Sequence, residues 1–376
     1  MKKKLNIAIA IPTYNRLDKL KVAIEKIKTQ ELDDRFNLTC VISNIASQDG
    51  TSEFLENLKD ADVKFVIWNK PEENIFVNWR RCAEAIPLEI DWVWFHGDDD
   101  YLTTPQAVKG LVDIIDQQGD EKLALIHICQ ARRSQKTGKM IRGNTFDLCN
   151  EIGYHELLGW MSSIVVRRDK FVPAIMRSTE PLAQGLKADD LLENKVSAYR
   201  HSAGFLEECI ADDALFVDAP WVEPQDAAQT EESMKRWQES HEGERYFYVV
   251  DDILSMYERG LLQKKCRPMF FRYLTFSFWD RYAAFLLASI IQTAKLTDRQ
   301  REHWLRLRKM ADCFLLERDK KVFLQWYFSI TSQVTHYEKI HAEVTQLRDN
   351  LIEQYKFTNS AVYPFEVLTA DGNLLR

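Results

Sequence analysis

The sequence predicts an α/β domain on a mostly parallel sheet with flanking helices, followed by an all-helical C-terminal extension. Three observations point there. Short apolar runs alternate with segments of helical period between residues 5 and 129, the pattern of β–α units whose strands are covered on both faces. Polar clusters fall where those strands should end, which is where such sheets bind ligands. Beyond Gln225 the composition shifts to long charged stretches of helical period with few Gly or Pro. The predicted domains are therefore 1–228 and 229–376.

The elements follow in order. Leu5–Pro12 is a continuous apolar run that turns at Pro12, and Leu17, Leu20, Ile24 and Ile27 then recur at helical spacing. Leu38–Ser43 reads as a second strand, followed by the polar loop Asn44–Thr51 and a short helix to Leu58. Val63–Trp68 is a third strand. Ile75, Phe76, Trp79, Cys82, Ala83 and Ile86 mark one face of a helix. Asp91–His96 is a fourth strand that runs into Gly97-Asp98-Asp99-Asp100. Thr104-Pro105 supplies a hydroxyl cap and a first-turn proline for a helix to about Gln118. Leu123–Cys129 is a fifth strand. Gly138–Tyr154 is irregular, and Ser162–Arg167 is a further short β-rich run.

Composition excludes several classes. The chain has 376 residues, too many for one small domain. Hydrophobic residues are 45% and charged residues 28% of it, which is ordinary globular composition. A formal net charge of −7 disfavours a nucleic-acid partner. The seven cysteines are scattered and never form C-x-x-C, against a disulfide framework or a zinc knuckle. Leu5–Pro12 lacks a signal-peptide cleavage site. The most apolar later stretch, Phe270–Ile291, carries Arg272, Asp280 and Arg281, which argue against a spanning helix. A cytoplasmic protein is expected, with peripheral contact at the inner membrane face as an option.

Asp98-Asp99-Asp100 is the central chemical feature. A solvated acidic turn is the plain reading. Here, however, the run leaves Trp92-Val93-Trp94-Phe95-His96, a strand that should be buried. Carboxylates there need a cation or strong donors. Mg²⁺ or Mn²⁺ takes oxygen ligands and pairs one or two carboxylates with substrate phosphates, so a divalent-metal site holding a diphosphate is expected.

Ile11-Pro12-Thr13-Tyr14-Asn15-Arg16 resembles the opening strand and turn of family 2 glycosyltransferases with the GT-A fold. Ile42 to Thr51 is similar to their second-strand loop, Asn74-Ile75 through Asn78 to the helix before the metal strand, and Trp94 to Asp100 to the D-x-D element. Gly159 to Arg168 resembles the next strand of the abequosyltransferase-like branch, which builds bacterial O-antigens and capsules. The likeness spans roughly residues 5 to 225.

The resemblance implies a hexosyltransferase-type, inverting enzyme that uses a nucleotide-sugar donor and Mn²⁺ or Mg²⁺. The acceptor would be a hydroxyl of a glycan or lipid-linked glycan. Pro12, Thr13 and Tyr14 would line the base and ribose, Arg16 would approach the base or diphosphate, and Asn74 would join the nucleotide site. Asn44 stands where the family usually has an Asp on the nucleobase, and it offers a donor as well as an acceptor. Asp98 would contact ribose or metal, Asp99 would lie in the nucleotide site, and Asp100 would be the direct metal ligand. Asp189 and Asp190 fit the general base by type and position, and equally fit the acidic first turn of a helix. His201 is a second candidate, against a packing role.

Two rival classes remain at this level. A nucleotidyltransferase would normally carry a Gly-rich basic phosphate loop near the N-terminus, and none is present. A non-catalytic carbohydrate-binding protein would not need an intact acidic run. For residues 229–376, the aromatic run Phe270–Trp279 and the seam Ile340, Val344, Leu347, Leu351, Tyr355 suggest self-association as a homo-oligomer or docking at a membrane. The alternative is that these helices cap the sheet.

Overall fold

The computed structural model describes residues 4–70, 75–131, 133–183, 199–225, 248–262 and 270. The chain divides into two compact units. One comprises Met1–Phe146, Leu158–Asn194 and His201–Thr230, and the other Asp147–Leu157, Lys195–Arg200 and Glu231–Arg376.

The first unit is built on a nine-stranded sheet. Its strands are β1 (Leu5–Thr13), β2 (Phe36–Asn44), β3 (Lys64–Asn69), β4 (Trp92–Phe95), β5 (Asp100–Leu102), β6 (Leu123–Gln130), β7 (Met140–Asn144), β8 (Ile164–Arg167) and β9 (Asp213–Pro224). The order is β3-β2-β1-β4-β8-β6-β9-β5, with β7 also paired to β9. The pairs β3–β2, β2–β1 and β1–β4 are parallel. The sheet is less parallel than the sequence predicts, because β8 enters between β4 and β6 antiparallel to both. The short strands β5 and β7 also pair antiparallel with β9, leaving β6–β9 as the other parallel pair.

The strand alternation sorts the two faces. Ile7, Ile9 and Ile11 of β1, Leu38, Cys40 and Ile42 of β2, and Trp92 and Trp94 of β4 join one buried cluster. Leu20, Ile24 and Ile27 of α1 (Leu17–Lys28) pack into the same cluster. α2 is the short helix Thr51–Glu56, and α3 spans Ile75–Glu84. Val108, Leu111, Val112 and Ile115 of α4 (Ala107–Gln118) also belong to the cluster. The opposite face is aromatic. Phe95 of β4 meets Trp79 of α3 edge-on at 5.8 Å, and Phe171 at 5.4 Å. Each fully buried aromatic contributes about 2–3 kcal/mol of burial.

Segments that sequence periodicity left irregular are ordered by their partners. α5 (Thr145–Ile152) and α6 (Tyr154–Leu158) are separated by Gly153, whose φ of 112° breaks the helix. α4 begins at Ala107 rather than at Pro105, because Thr104 Oγ1 accepts the Gln106 N–H and forms a turn ahead of the helix. α7 (Arg168–Ala183) follows β8. Asp218 of β9, fully buried, accepts from Ser134 Oγ, Thr137 Oγ1 and the Gln135 and Thr137 N–H groups, and so ties down the loop after β6.

In the second unit, Ile253 and Met256 of the helix Tyr248–Glu258 are buried, and Phe270 stacks on Tyr154 at 5.3 Å. Residues 271–279 of the aromatic run and the 340–355 seam lie outside the described residues. Among the described residues no helix is long and apolar enough to cross a membrane, and five cysteines are free thiols.

Two consequences follow for stability. A Cβ on Gly110 would sit 2.5 Å from the Trp221 ring. Gly110→Ala should therefore destabilise by about 1–3 kcal/mol despite its better helix propensity, as measured by urea unfolding. Burial works against ionised Asp218, but its hydrogen bonds from Ser134, Thr137 and Gln135 outweigh burial and hold its carboxyl below the ordinary carboxylate range. Its stabilisation is thus present above that range and lost as pH falls through the lowered value. Asp218→Asn should flatten the acid limb of a Tm-against-pH curve.

Candidate active site

β1, β2, β3 and β4 run parallel, so Thr13, Asn44, Asn69 and Phe95 end on one edge of the sheet. The loops after β1 and β2 are clasped there. The Asn15 N–H donates to Ser47 Oγ at 2.7 Å, and the Gln48 N–H donates to Asn15 Oδ1 at 2.8 Å. Asn15 and Ala46 both hold positive φ, 50° and 53°. Asn tolerates that region; for Ala it costs on the order of 1 kcal/mol or more, so the clasp holds a conformation the loop would not keep alone.

Asp49 caps two helices at once. Its Oδ2 accepts the Leu17 N–H at 2.8 Å at the start of α1. Its Oδ1 accepts the Thr51 hydroxyl at 2.6 Å and the Thr51 N–H at 3.2 Å at the start of α2. Burial opposes its ionisation, but these donors hold its carboxyl below the ordinary range.

Asn44 is fully buried and its polar atoms are all engaged. Its oxygen accepts from Ser47 Oγ at 2.5 Å and from the Ser47 N–H at 3.3 Å. Its amide donates to Ser52 Oγ at 3.0 Å and to Asn69 Oδ1 at 2.8 Å. The backbone N–H of Ser47 is a donor in any rotamer, so it fixes which end of Asn44 is the oxygen. That in turn fixes Asn69: its oxygen accepts from Asn44 and from Ser52 Oγ at 3.1 Å, and its amide nitrogen donates to none of the described residues.

The acidic turn follows β4. Thr13 Oγ1 donates to Asp98 Oδ2 at 2.8 Å. Arg16 donates to Asp98 Oδ1 at 3.0 Å and to Asp99 Oδ2 at 2.7 Å. Ser162 Oγ accepts the Gly97 N–H at 2.7 Å and donates to Asp100 Oδ2. Gln225 closes the turn from β9, its N–H donating to the Asp99 carbonyl at 2.9 Å and its side chain to the Lys19 carbonyl at 2.8 Å. Asp98 and Asp100 are 5% and 4% exposed. Burial raises the Asp98 carboxyl, opposed chiefly by Arg16. Burial first, then the neighbouring Asp99 charge, pushes Asp100 up to about 7.

This donor set fits a divalent cation. One guanidinium cannot offset three adjacent carboxylates, two of them buried, and the donors are hard oxygens. Among the described residues no three carboxylate, His or Cys side chains close into a metal cage. A site here would be one or two carboxylates completed by phosphate oxygens and water, the usual manner for Mg²⁺. Both Asp98 oxygens are engaged, whereas Asp100 Oδ1 takes no hydrogen bond from the described residues.

The structure brings Thr13, Tyr14, Arg16, Asn44, Asp98, Asp99 and Asp100 together at this edge, with different tasks from those expected. Thr13 is buried and spent on Asp98, and Pro12 is buried inside β1. Tyr14 stands 51% exposed beside them. Asn44, expected to touch a base, is locked inside its own network. His201 is a core side chain: it meets Trp79 edge-on at 5.2 Å and Phe95 at 6.2 Å, and its ring Nε2 lies 3.2 Å from the Gly159 carbonyl. Burial lowers its pKa to about 4, which makes it a poor proton acceptor. Asn74, Asp189 and Asp190 lie outside the described residues. Sequence reading passed over Asn69, Ser162 and Gln225, whose one signal was a polar residue at the end of, or just before, an apolar run.

Residues 8–171 match the family model described as Glycosyl transferase family 2. Abequosyltransferase RfbV of Salmonella typhimurium is 28% identical over 130 residues, 34% of this chain and 36% of that protein. The chain thus matches about a third of that relative's length. Among solved structures, S. aureus TarS 1-349 in complex with UDP-GlcNAc is 10% identical, with a TM-score of 0.48 over 94% of this chain and 95% of that one. Mannosyltransferase PcManGT from Pyrobaculum calidifontis, in complex with GDP-Man and Mn2+, is 13% identical, with a TM-score of 0.44 over 91% and 87%. The stretch that matches the Glycosyl transferase family 2 model, residues 8–171, holds the clasped loops, the acidic turn and Ser162.

Proposed function

We propose that this domain transfers a sugar from a nucleotide-sugar donor to a hydroxyl of a bacterial surface glycan, with Mn²⁺ or Mg²⁺ at the acidic turn. The observation that carries the reading is Asp100, buried at the end of the strands with one oxygen anchored and the other taking no hydrogen bond from the described residues. When bound, the cation neutralises the departing diphosphate. Asp100 is its ligand; Asp98 joins only by releasing Thr13 or Arg16. In the transfer, the acceptor oxygen forms the new bond to the anomeric carbon. The bond from that carbon to the phosphate oxygen breaks, and the electron pair leaves with the nucleoside diphosphate. The acceptor proton passes to a general base, for which Asp189 and Asp190 remain the proposed groups now that His201 is placed in the core. Inversion at the anomeric carbon belongs to this proposal.

On the same reading, the nucleotide lies over Tyr14 with its base at the end of β3. There Asn69 presents two N–H donors, a match for a carbonyl of a keto base. Residues 229–376 are proposed to serve docking at the membrane face or self-association.

A thermal-shift panel of nucleoside diphosphates with and without Mn²⁺ tests the function. One diphosphate should raise Tm in a Mn²⁺-dependent way, because a ligand bound to the native state stabilises it by mass action. No shift with any diphosphate would refute the reading. Asp100→Asn should abolish the Mn²⁺-dependent shift and transfer while leaving the unliganded Tm equal or higher, since a buried like-charge contact is relieved. Retained transfer would remove Asp100 from the metal site.

Asn44→Asp acts one residue away from the base. It places a carboxylate oxygen against Asn69 Oδ1 and should turn the Asn69 amide over, so that its oxygen faces the cleft. The ranking of UDP, GDP, CDP and ADP in competition binding should then change, with little change in turnover. An unaltered ranking would take Asn69 out of the base pocket.

A further inference from the structure

Ser162 makes three contacts that serve one end. Its Oγ accepts the Gly97 N–H at 2.7 Å. Because that backbone group is always a donor, the Ser162 hydroxyl proton is free to go elsewhere, and it goes to Asp100 Oδ2. Its carbonyl accepts Trp94 Nε1–H at 2.8 Å, and Trp94 is fully buried in the core under the sheet. The serine is therefore fixed from behind by an immobile indole and from the side by the backbone of the acidic turn. Gly97 permits this approach: a Cβ there would lie 2.7 Å from Asp100 Oδ2 and 3.3 Å from Ser162 Oγ. Ser163, the next residue in the same turn, is also fully buried, but its hydroxyl has no hydrogen-bond partner among the described residues.

We infer that Ser162 is the positioning residue of the cation site: it holds one oxygen of Asp100 in place so that the other faces the cation. The inference rests on the metal-dependent reading above. Anchoring Oδ2 removes the side-chain rotation that a lone Asp100 would lose on binding. It also keeps a hydrogen bond on the ionised carboxylate, which raises its competence as a ligand. The role falls to a residue more than sixty positions away in sequence, on the turn Met161–Ser163 that leads into β8.

The test uses the full chain and Mn²⁺ alone, titrated by electron paramagnetic resonance of the free ion. Ser162→Ala should weaken Mn²⁺ binding by roughly 10-fold or more, the usual effect of removing a partner that orients a metal ligand. Ser162→Thr, which keeps the hydroxyl, should weaken it less. Ser163→Ala should leave it unchanged, which separates orientation of Asp100 from general damage to the turn. If Ser162→Ala does not fold, as judged by its melting curve, Ser162→Cys keeps the volume with only a weak donor and should show the same loss. Wild-type affinity in either of these two variants, or equal losses in the Ser162 and Ser163 variants, overturns the assignment while leaving the metal reading intact. A wild-type chain that binds no Mn²⁺ overturns both.

Discussion

The constraint on which this structure turns is electrostatic: three consecutive carboxylates emerge from the end of a buried strand, and two of them stay buried. Water cannot solvate them, so the fold must supply donors. It does so from two separate parts of the chain: Thr13 ends β1 and Arg16 follows it, and Ser162 comes from the turn before β8. Gln225, just after β9, binds the Asp99 backbone carbonyl and closes the turn. The sheet order explains why these meet. β1 and β8 flank β4 on either side, and β9 pairs with β5, whose first residue is Asp100 itself.

The compensation is unequal along the run. Asp98 has a hydroxyl and a guanidinium, one on each oxygen, and Asp100 has a hydroxyl on one oxygen. Charge therefore remains in excess at Asp100, where burial and Asp99 have already pushed the carboxyl up to about 7. A fold selected for stability alone would have little reason to keep a poorly compensated carboxylate there. The clasp of the first two loops has the same character. Ala46 keeps a left-handed backbone and Asp49 is shared by two helix starts, so each loop's conformation depends on the other's hydrogen bonds.

How far this was legible in the sequence depends on distance along the chain. The runs Leu5–Pro12 and Leu38–Ser43 announced β1 and β2 because buried parallel strands are apolar throughout, and the mostly apolar Val63–Trp68 announced the half-buried edge strand β3. Asp98-Asp99-Asp100 was visible as chemistry because it followed such a run. The antiparallel pairing was not legible. β5 is three residues long, β7 is partly polar, and although Ser162–Arg167 reads as β-rich, the crossover that inserts β8 between β4 and β6 is encoded by no local pattern. The same limit applies to the site. His201 has a side chain suited to proton transfer, and only its packing against Trp79 and Phe95 shows it to be core. Ser162 has an ordinary side chain, and only its position between Gly97 and Asp100 sets it apart.

Asn44 and Asn69 illustrate the general point about residue substitution at a binding edge. A carboxylate at position 44 would accept only, and a neighbour at position 69 would have to donate to it. An amide at position 44 both accepts and donates: it takes Ser47 on one side and gives to Ser52 and Asn69 on the other. The change of one oxygen for one nitrogen, deep in the network, is therefore transmitted outward as the orientation of a second amide. On the proposed reading, what reaches the nucleotide base is not the chemistry of Asn44 but its complement, the N–H groups of Asn69. Selectivity at such an edge belongs to the connected set of hydrogen bonds, and the residue that stands in the expected place need not be the one that makes the contact.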